Sequence, residues 1–157
     1  MPAVLLPEQQ NNLDALRAWF AACPELKDGY LGIDYMGDTA TQYGIFPTTS
    51  TLQTRVDVLG DVFLAPRQEE NYIFASVNDY SADVVRAIEA HGRLQAVIAW
   101  MLRQNALKAF PSRNDGVVLS IVPSTPQYLM SATANTARYQ IQFKVTYRPN
   151  SIMINKE

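Results

Sequence analysis

The stretch Arg138-Tyr139-Gln140-Ile141-Gln142-Phe143-Lys144-Val145-Thr146-Tyr147-Arg148 decides the fold. Its five apolar residues alternate without a break against polar ones, which is the pattern of a strand with one buried face. Burial of each apolar side chain contributes at most about 1.5–3 kcal/mol. The polar face carries three cations and no anion, so we expect it to meet water or another surface.

Length and composition favour a single domain over residues 1–157. With 48% hydrophobic residues, the chain can bury a core that needs no disulfide or metal. Cys23 is the only cysteine, which excludes an internal disulfide. The sequence has neither a secretion signal nor an apolar run long enough to span a membrane. We therefore expect synthesis and folding in a cytoplasm, with no membrane partner.

The charge balance disfavours nucleic-acid binding as the main task. The net charge is −2, and the chain has no cluster of Lys and Arg for phosphate contacts. Only 18% of the residues are charged, against about 25% in ordinary soluble domains. A surface kept polar by amides and hydroxyls is cheaper to bury against a partner subunit than a charged one.

Two helices are predicted. The first runs from Pro7 to about Ala22, and the second from an N-cap at Ser81 to about Lys108. Gly92 lies in the middle of the second helix, where glycine costs about 1 kcal/mol relative to alanine, and this leaves open a kink or a break into two helices. The apolar side of the first helix is Leu13, Leu16, Phe20 and Cys23, and that of the second is Val84, Ile88, Leu94, Val97, Ile98 and Met101.

The remaining pattern predicts strands separated by turn residues. The segment Asn71 to Val77 is too continuously apolar for an edge strand, so we place it in the centre of the sheet. The fold class is α+β, a mainly antiparallel twisted sheet packed against two principal helices. The predicted strands are 29–36, 41–46, 52–59, 71–77, 117–122, 127–134 and 137–148.

Two further segments are candidate extensions of the domain. Residues 52–77 read as a hairpin arm, with a long tip from Gly60 to Glu70. The tip contains the apolar triplet Val62-Phe63-Leu64, which is either a contact surface or a loop folded back on the core. The tail 149–157 contains Ile152 and Ile154 and either lies over its own sheet or reaches a neighbouring subunit.

The residues that could do chemistry are few. His91 is the only histidine, which excludes a site that needs two imidazoles. A Cys23 nucleophile with His91 as its base is conceivable, but Cys23 belongs to an apolar helix face, where an inert thiol is the better interpretation. Asp57 and Asp61 flank a glycine and are expected to solvate a turn. No phosphate-binding or nucleophile motif is present, so we predict no catalytic, cofactor or metal site.

Three segments, in this order, resemble the tail-terminator family, minor tail proteins of long-tailed phages and prophages. The first is Gly29–Asp38 followed by Gln42–Ile45, the second is Tyr72–Ser76 followed by Ala82–Val84, and the third is Thr136–Gln142. Spaced in this order, they extend over most of the chain, from the first predicted strand to the last. The stretch 60–68 is longer than the usual turn of this family, and the tail after residue 149 is additional to its core.

The resemblance implies a structural virion protein. Such subunits form a ring, expected to be a hexamer, which caps the tail tube at its head-proximal end and joins the tail to the head connector. The implied partners are further copies of the chain, the tail tube protein, the head connector proteins and, as a further candidate, the sheath. DNA would pass through the ring without sequence-specific binding. The alternatives are a head-completion or connector protein on the portal side and, less favoured, a small-molecule transferase.

Contact surfaces, rather than a catalytic site, are therefore the sites to look for. A closed ring of identical subunits needs two unlike faces on each subunit. The candidates from the sequence are the apolar triplet, the outer face of the last strand and the tail: Val62, Phe63, Leu64, Arg138, Gln140, Gln142, Lys144, Ile152 and Ile154.

Overall fold

The structure, a computed structural model, describes residues 7–26, 29–37, 42–79, 84–133 and 135–150. It confirms the predicted fold class. Two helices pack against a mixed, mostly antiparallel sheet of six strands, and a separate small hairpin extends from it. None of the helices in the described part of the chain is long and apolar enough to cross a membrane.

The helices are α1, Pro7–Ala21, and α2, Val84–Ala106, with a 3₁₀ turn at Pro24–Leu26 after α1. The strands of the large sheet are β1, Tyr30–Ile33; β2, Gln42–Pro47; β5, Gln68–Asp79; β6, Gly116–Pro123; β7, Tyr128–Ala132; and β8, Thr136–Pro149. The small hairpin consists of β3, Thr54–Val56, and β4, Val62–Leu64.

The long strand β8 occupies the centre of the sheet. From its first residue to Tyr147 it pairs with β5, with Thr136 opposite Asp79 and Tyr147 opposite Gln68. On its other side it pairs with β7 near its beginning and with β6 towards its end. The strand order is β1-β2-β5-β8-β6, and β1 runs parallel to β2 while the other pairs are antiparallel. The central position predicted for the segment Asn71–Val77 is thus confirmed, because it forms part of β5.

The helices cover one face of the sheet, and the alternating pattern of β8 explains why. All five of its apolar residues from Tyr139 to Tyr147 are buried on that face. Phe20 of α1 stacks on Phe74 of β5, with ring centroids 5.3 Å apart, and lies 5.1 Å from the ring of Phe143 in β8. The aromatic side chains of three elements therefore form the middle of one core.

The helix α2 is continuous through Gly92, so neither a break nor a second helix forms there. Its buried residues are Ala90, Leu94, Val97 and Met101. The prediction that Val84 and Ile88 belong to the apolar side is wrong, since they are 69% and 65% exposed. Continued backward at 3.6 residues per turn, the buried stripe passes through residue 87 and misses both. The expected N-cap at Ser81 lies outside the described residues.

The end of α2 is fixed to β6 by one amide side chain. Asn105 donates from Nδ2 to the carbonyl oxygen of Ile121 and accepts at Oδ1 from the backbone N–H of Ile121, 2.9 Å away. These are the two hydrogen bonds that a neighbouring strand would make. They lie beside the bulge of β6 between Val118 and Ser120, so the side chain replaces part of the ladder.

The predicted limits of the hairpin need a correction. The strand expected at 52–59 is only Thr54–Val56, and the region 60–70, expected to be a loop, contains β4 and the start of β5. The chain reverses at Asp57–Asp61, because Oδ1 of Asp57 accepts hydrogen bonds from the backbone nitrogens of Leu59 and Asp61, both at 2.9 Å. The expectation that Asp57 solvates a turn is confirmed.

Replacement of Gly92 by alanine should stabilise the protein. A Cβ at this position meets no atom within 4 Å, and the residue lies on the exposed side of α2. The helical preference of alanine then predicts a gain of about 0.5–1 kcal/mol in the free energy of unfolding. Urea denaturation of Gly92→Ala and of the parent protein measures the difference. A loss of stability would contradict the open surroundings of this site.

Candidate contact surfaces

The most exposed apolar side chains lie at the tip of the small hairpin. We call residues 53–67, which contain β3 and β4, the arm. Val58 is fully exposed and Leu59 is 84% exposed, both in the turn between the two strands. Among the described residues, β3 and β4 pair only with each other. Adjacent apolar side chains held away from the core are typical of a surface that contacts another molecule.

The turn at the tip is held by several hydrogen bonds. Besides the two bonds accepted by the Asp57 side chain, the backbone nitrogen of Asp57 donates to the carbonyl oxygen of Asp61 at 3.0 Å, and that of Gly60 donates to Asp57 at 3.1 Å. Gly60 has a φ of 84°, which glycine adopts without the steric cost that a side chain would add. Val58 and Leu59 are therefore held in place between two carboxylate-bearing residues.

The base of the arm is held by the side chain of Gln68, which is only 1% exposed. Its Oε1 accepts from the backbone N–H of Gln53 at 2.9 Å, and its Nε2 donates to the carbonyl oxygens of Gln53 at 2.7 Å and Ala65 at 3.0 Å. The amide thus takes the place of a backbone peptide group and joins both sides of the arm. Sequence reasoning missed this role, because a glutamine inside Pro-Arg-Gln-Glu-Glu gives no signal of burial.

A second contact fixes the chain where it enters the arm. The backbone nitrogen of Asn71 donates to Oγ of Ser50 at 2.8 Å, and its carbonyl oxygen accepts from the backbone nitrogen of Thr48 at 2.9 Å. The segment that precedes the arm therefore continues to follow β5 after β2 has ended.

Replacement of Gln68 by leucine should release the arm without unfolding the sheet. The change removes the partners of the Gln53 N–H and the Ala65 carbonyl oxygen, while the Gln53 carbonyl keeps its bond from the backbone nitrogen of Ala65. Because these groups are only partly buried, the net value of the lost hydrogen bonds predicts a loss of about 0.5–1.5 kcal/mol in the free energy of unfolding. Hydrogen exchange of the amide of Gln53 should accelerate, while amides of the central strands stay protected. The control is Gln53→Ala, which keeps every bond to Gln68 because only the backbone of Gln53 takes part. Equal protection in Gln68→Leu and its control would contradict this role.

The candidate residues within the arm differ in exposure. Val62 is 40% exposed, whereas Phe63 and Leu64 are half-buried. The apolar triplet is therefore a strand and not the tip of a loop, and the exposed apolar side chains precede it. The candidates Ile152 and Ile154 lie outside the described residues.

The polar side chains of β8 lie on the sheet face opposite the helices, as the alternation predicts. However, Gln140 is only 4% exposed. With its amide oriented so that both atoms have partners, its oxygen accepts from Arg138 at 3.0 and 3.2 Å and its nitrogen donates to the Tyr128 hydroxyl at 3.0 Å. Gln142, which is exposed, donates from Nε2 to the same hydroxyl at 3.1 Å. The side chains of Arg138 and of Tyr128 in β7 thus already occupy hydrogen-bonding positions on this face.

The two cationic candidates of this face also have partners within the subunit. The guanidinium of Arg138 lies 4.9 Å from the centroid of the Phe46 ring in β2. Nζ of Lys144 lies 3.3 Å from a carboxylate oxygen of Glu69 in β5. The strand pattern alone could not reveal these contacts, because they depend on which strands flank β8. The outer face of β8 is accordingly less available for a partner than the arm.

The loop after β1 covers another part of the outer face. Asp34 has a φ of 56°, and this unusual backbone conformation turns the chain after β1. A Cβ on Gly32 would collide with the carbonyl oxygen of Tyr35, and a Cβ on Gly44 would press against Met36 and the ring of Phe46. The two glycines therefore permit the loop to lie directly on β1 and β2.

A polar cluster closes the end of the sheet from which the arm extends. The side chain of Arg113, 7% exposed, contacts Glu70 at 2.7 Å and Asp115 at 2.8 Å. Its guanidinium lies 3.7 Å from the centroid of the Tyr147 ring, and the Tyr72 hydroxyl donates to Glu70 at 2.8 Å. Burial raises the pKa of both tyrosines, and the charge of Glu70 raises it further. Burial lowers the pKa of Arg113, but its two carboxylate partners outweigh this effect and raise it.

The stability of this cluster should depend on pH. Burial raises the pKa of Asp115, but the hydrogen bonds and positive charge of Arg113 outweigh burial and hold it below its ordinary value of 3.8. The contribution of ionised Asp115 to the free energy of unfolding is therefore fully present above pH 3.8. It is lost as the pH falls through the lower pKa that Asp115 has in the folded state. Urea denaturation from pH 7 to pH 2.5 should show a smaller acid-dependent loss in Asp115→Asn than in the parent protein. Identical pH profiles would contradict the assignment.

A second exposed surface with apolar walls lies on the helix side. We call it the α2 groove. The chain between β6 and β7 forms one wall and is fixed to Gln142, whose carbonyl oxygen accepts from the backbone nitrogens of Ser124 and Thr125 at 2.7 and 3.3 Å. The groove is shallow and open to solvent, has a volume of about 480 Å³ and is lined by Gln95, Ile98, Ala99, Leu102 and residues 123–127.

The candidates for chemistry lie apart from these surfaces. Cys23 is fully buried, and burial raises the pKa of its thiol, which disfavours the thiolate that a nucleophile needs. The imidazole of His91 packs edge-on against the Tyr139 ring, with centroids 4.9 Å apart. In the described ranges, no group of three or more His, Cys, Asp or Glu side chains is placed to hold a metal ion.

No protein-family profile matches this sequence, and no curated protein is similar to it. The resemblance to tail terminators therefore stays a prediction from the three segments that carry it.

Proposed function

We propose that the chain is a structural subunit that assembles with copies of itself into a ring and acts as a tail terminator of a phage or phage-derived particle. The observation that carries the proposal is the arm, a rigid hairpin with fully exposed Val58 and 84% exposed Leu59 at its tip. Assembly gives these side chains a place to be buried. The tail and head attachments come from the family resemblance.

The position of the arm suits contact between subunits. It lies between β2 and the start of β5 in the chain, so it extends from one end of the sheet. Because Gln68 fixes its base, the arm loses little freedom when it docks, and this lowers the entropic cost of association. A net charge of −2 is compatible with DNA that slides through a ring instead of binding to it.

The experiment that tests the proposal combines light scattering with a tail-tube capping assay. The protein should form closed rings, either free in solution or on tail tubes, and should stop tube growth at one end. Binding to portal complexes without capping of tubes would indicate the head-completion alternative. A protein that stays monomeric and never caps tubes would overturn the proposal. For the transferase alternative, Cys23→Ala or His91→Ala would have to abolish activity on an assayed substrate.

An aspartate at the tip should weaken assembly and leave the fold intact. Leu59 makes few contacts within its own subunit, so Leu59→Asp should change the free energy of unfolding by less than about 0.5 kcal/mol. Loss of one buried leucine at each contact is worth about 1.5–3 kcal/mol, which predicts ring formation weakened by about 10- to 100-fold. The matched control is Ile88→Asp, which places the same charge at a similarly exposed apolar position, 65% exposed, outside the arm. Equal assembly of Leu59→Asp and the parent protein would exclude the arm as a contact.

A further inference from the structure

We propose that the arm tip of one copy inserts into the α2 groove of the next copy, with Val58 and Leu59 as the inserted side chains. This inference rests on the proposed self-assembly and names its contact. It is carried by three features: two exposed apolar side chains on a rigid turn, an exposed groove with apolar walls, and opposite charges beside the two surfaces.

The groove suits two aliphatic side chains. Its α2 wall presents half-buried Ile98, exposed Ala99 and 50% exposed Leu102, which lie at spacings of one, three and four residues on one side of the helix. Pro123 and Pro126 contribute to the opposite wall, where the chain is fixed to β8. At about 480 Å³ the groove falls within the range of about 300–1,000 Å³ that is usual for ligand pockets. The apolar surface is thus already formed before a partner arrives.

Charge complementarity favours the arm as the occupant. The tip carries a carboxylate on each side of its apolar pair, at Asp57 and Asp61, and no cation. By contrast, residues 90–108, which include the α2 wall of the groove, contain three cations and no carboxylate. Exposed Arg103 follows Ala99 by four residues and so lies on the same side of the helix as the groove. The acidic turn would therefore approach a cationic rim.

The location of the two surfaces determines the kind of assembly. The arm extends from the connection between β2 and β5, whereas the groove lies beside β6 and β7 on the far side of β8. Contact between two unlike surfaces is heterologous, and each subunit then offers one arm and one groove. Such contacts repeat from copy to copy and give a ring where the rotation between neighbouring copies closes. Pairing of two arms would instead produce an isologous dimer.

Cross-linking between engineered cysteines tests this contact. The double variant Leu59→Cys, Ala99→Cys is assembled in solution or on tail tubes and treated with a short bis-maleimide. The buried thiol of Cys23 stays unmodified, so it can remain in place. We expect a ladder of covalent oligomers that ends at the number of subunits in the ring. A mixture of Leu59→Cys and Ala99→Cys single variants should give dimers only, since each copy then offers one reactive end.

The controls separate this inference from the proposed function. Ile88→Cys replaces Ala99→Cys as the matched α2 position outside the groove, and its combination with Leu59→Cys should give no ladder. Rings that cap tubes but give no Leu59–Ala99 cross-link would overturn the inference and leave the function standing. Cross-linking of Leu59→Cys to itself would show arm-to-arm pairing, which also overturns it. Absence of rings and capping in the parent protein would overturn the proposed function itself.

Discussion

The pairing of β5 with β8 is the constraint on which the rest of the structure depends. The register runs without interruption from Gln68 opposite Tyr147 to Asp79 opposite Thr136. It brings Phe74 beside Ile141 and Tyr72 beside Phe143 on the face that the helices cover. Because side chains in a strand alternate with period two, a shift of one residue would turn this whole apolar set towards the opposite face. The core therefore specifies the register, and the register specifies where each neighbouring element begins.

Two polar networks, one around Gln68 and one around Arg113, lie where this pairing begins in β5. Gln68 is the first residue of β5, and its side chain contacts the arm. Two residues further along the same strand, Glu70 meets Arg113, which lies over the Tyr147 ring. The arm and the Arg113 cluster thus share one end of the sheet, on the side chains of alternate residues of a single strand. The strand β5 can hold both because it continues past the end of β2, which pairs with it only as far as Tyr72.

The sequence was sufficient for the parts of the fold that depend on regular spacing. The alternation in β8, the apolar stripe around Leu16 and Phe20, and the continuous apolar run in β5 each identified an element and its buried side. It was insufficient where a side chain interacts with residues distant in the chain. The contact between Arg113 and Glu70 spans 43 positions, and that between Gln68 and Gln53 spans 15. Burial of Gln140 likewise depends on the Tyr128 hydroxyl in the neighbouring strand β7, a contact that the alternation within β8 does not reveal.

The arm shows how an amide side chain can support an element that is weak by itself. An isolated two-stranded hairpin is at best marginally stable in water, and β3 and β4 have only three residues each. Gln68 supplies the arm with backbone-like hydrogen bonds from within the buried end of β5, as Asn105 does for β6. The arm is therefore stabilised by hydrogen bonds from a residue of the core, whereas the exposed side chains at its tip do not pack in that core. Fixation of such a tip in one conformation reduces the entropy lost when it docks, so the same network that holds the hairpin would strengthen any contact that the tip makes.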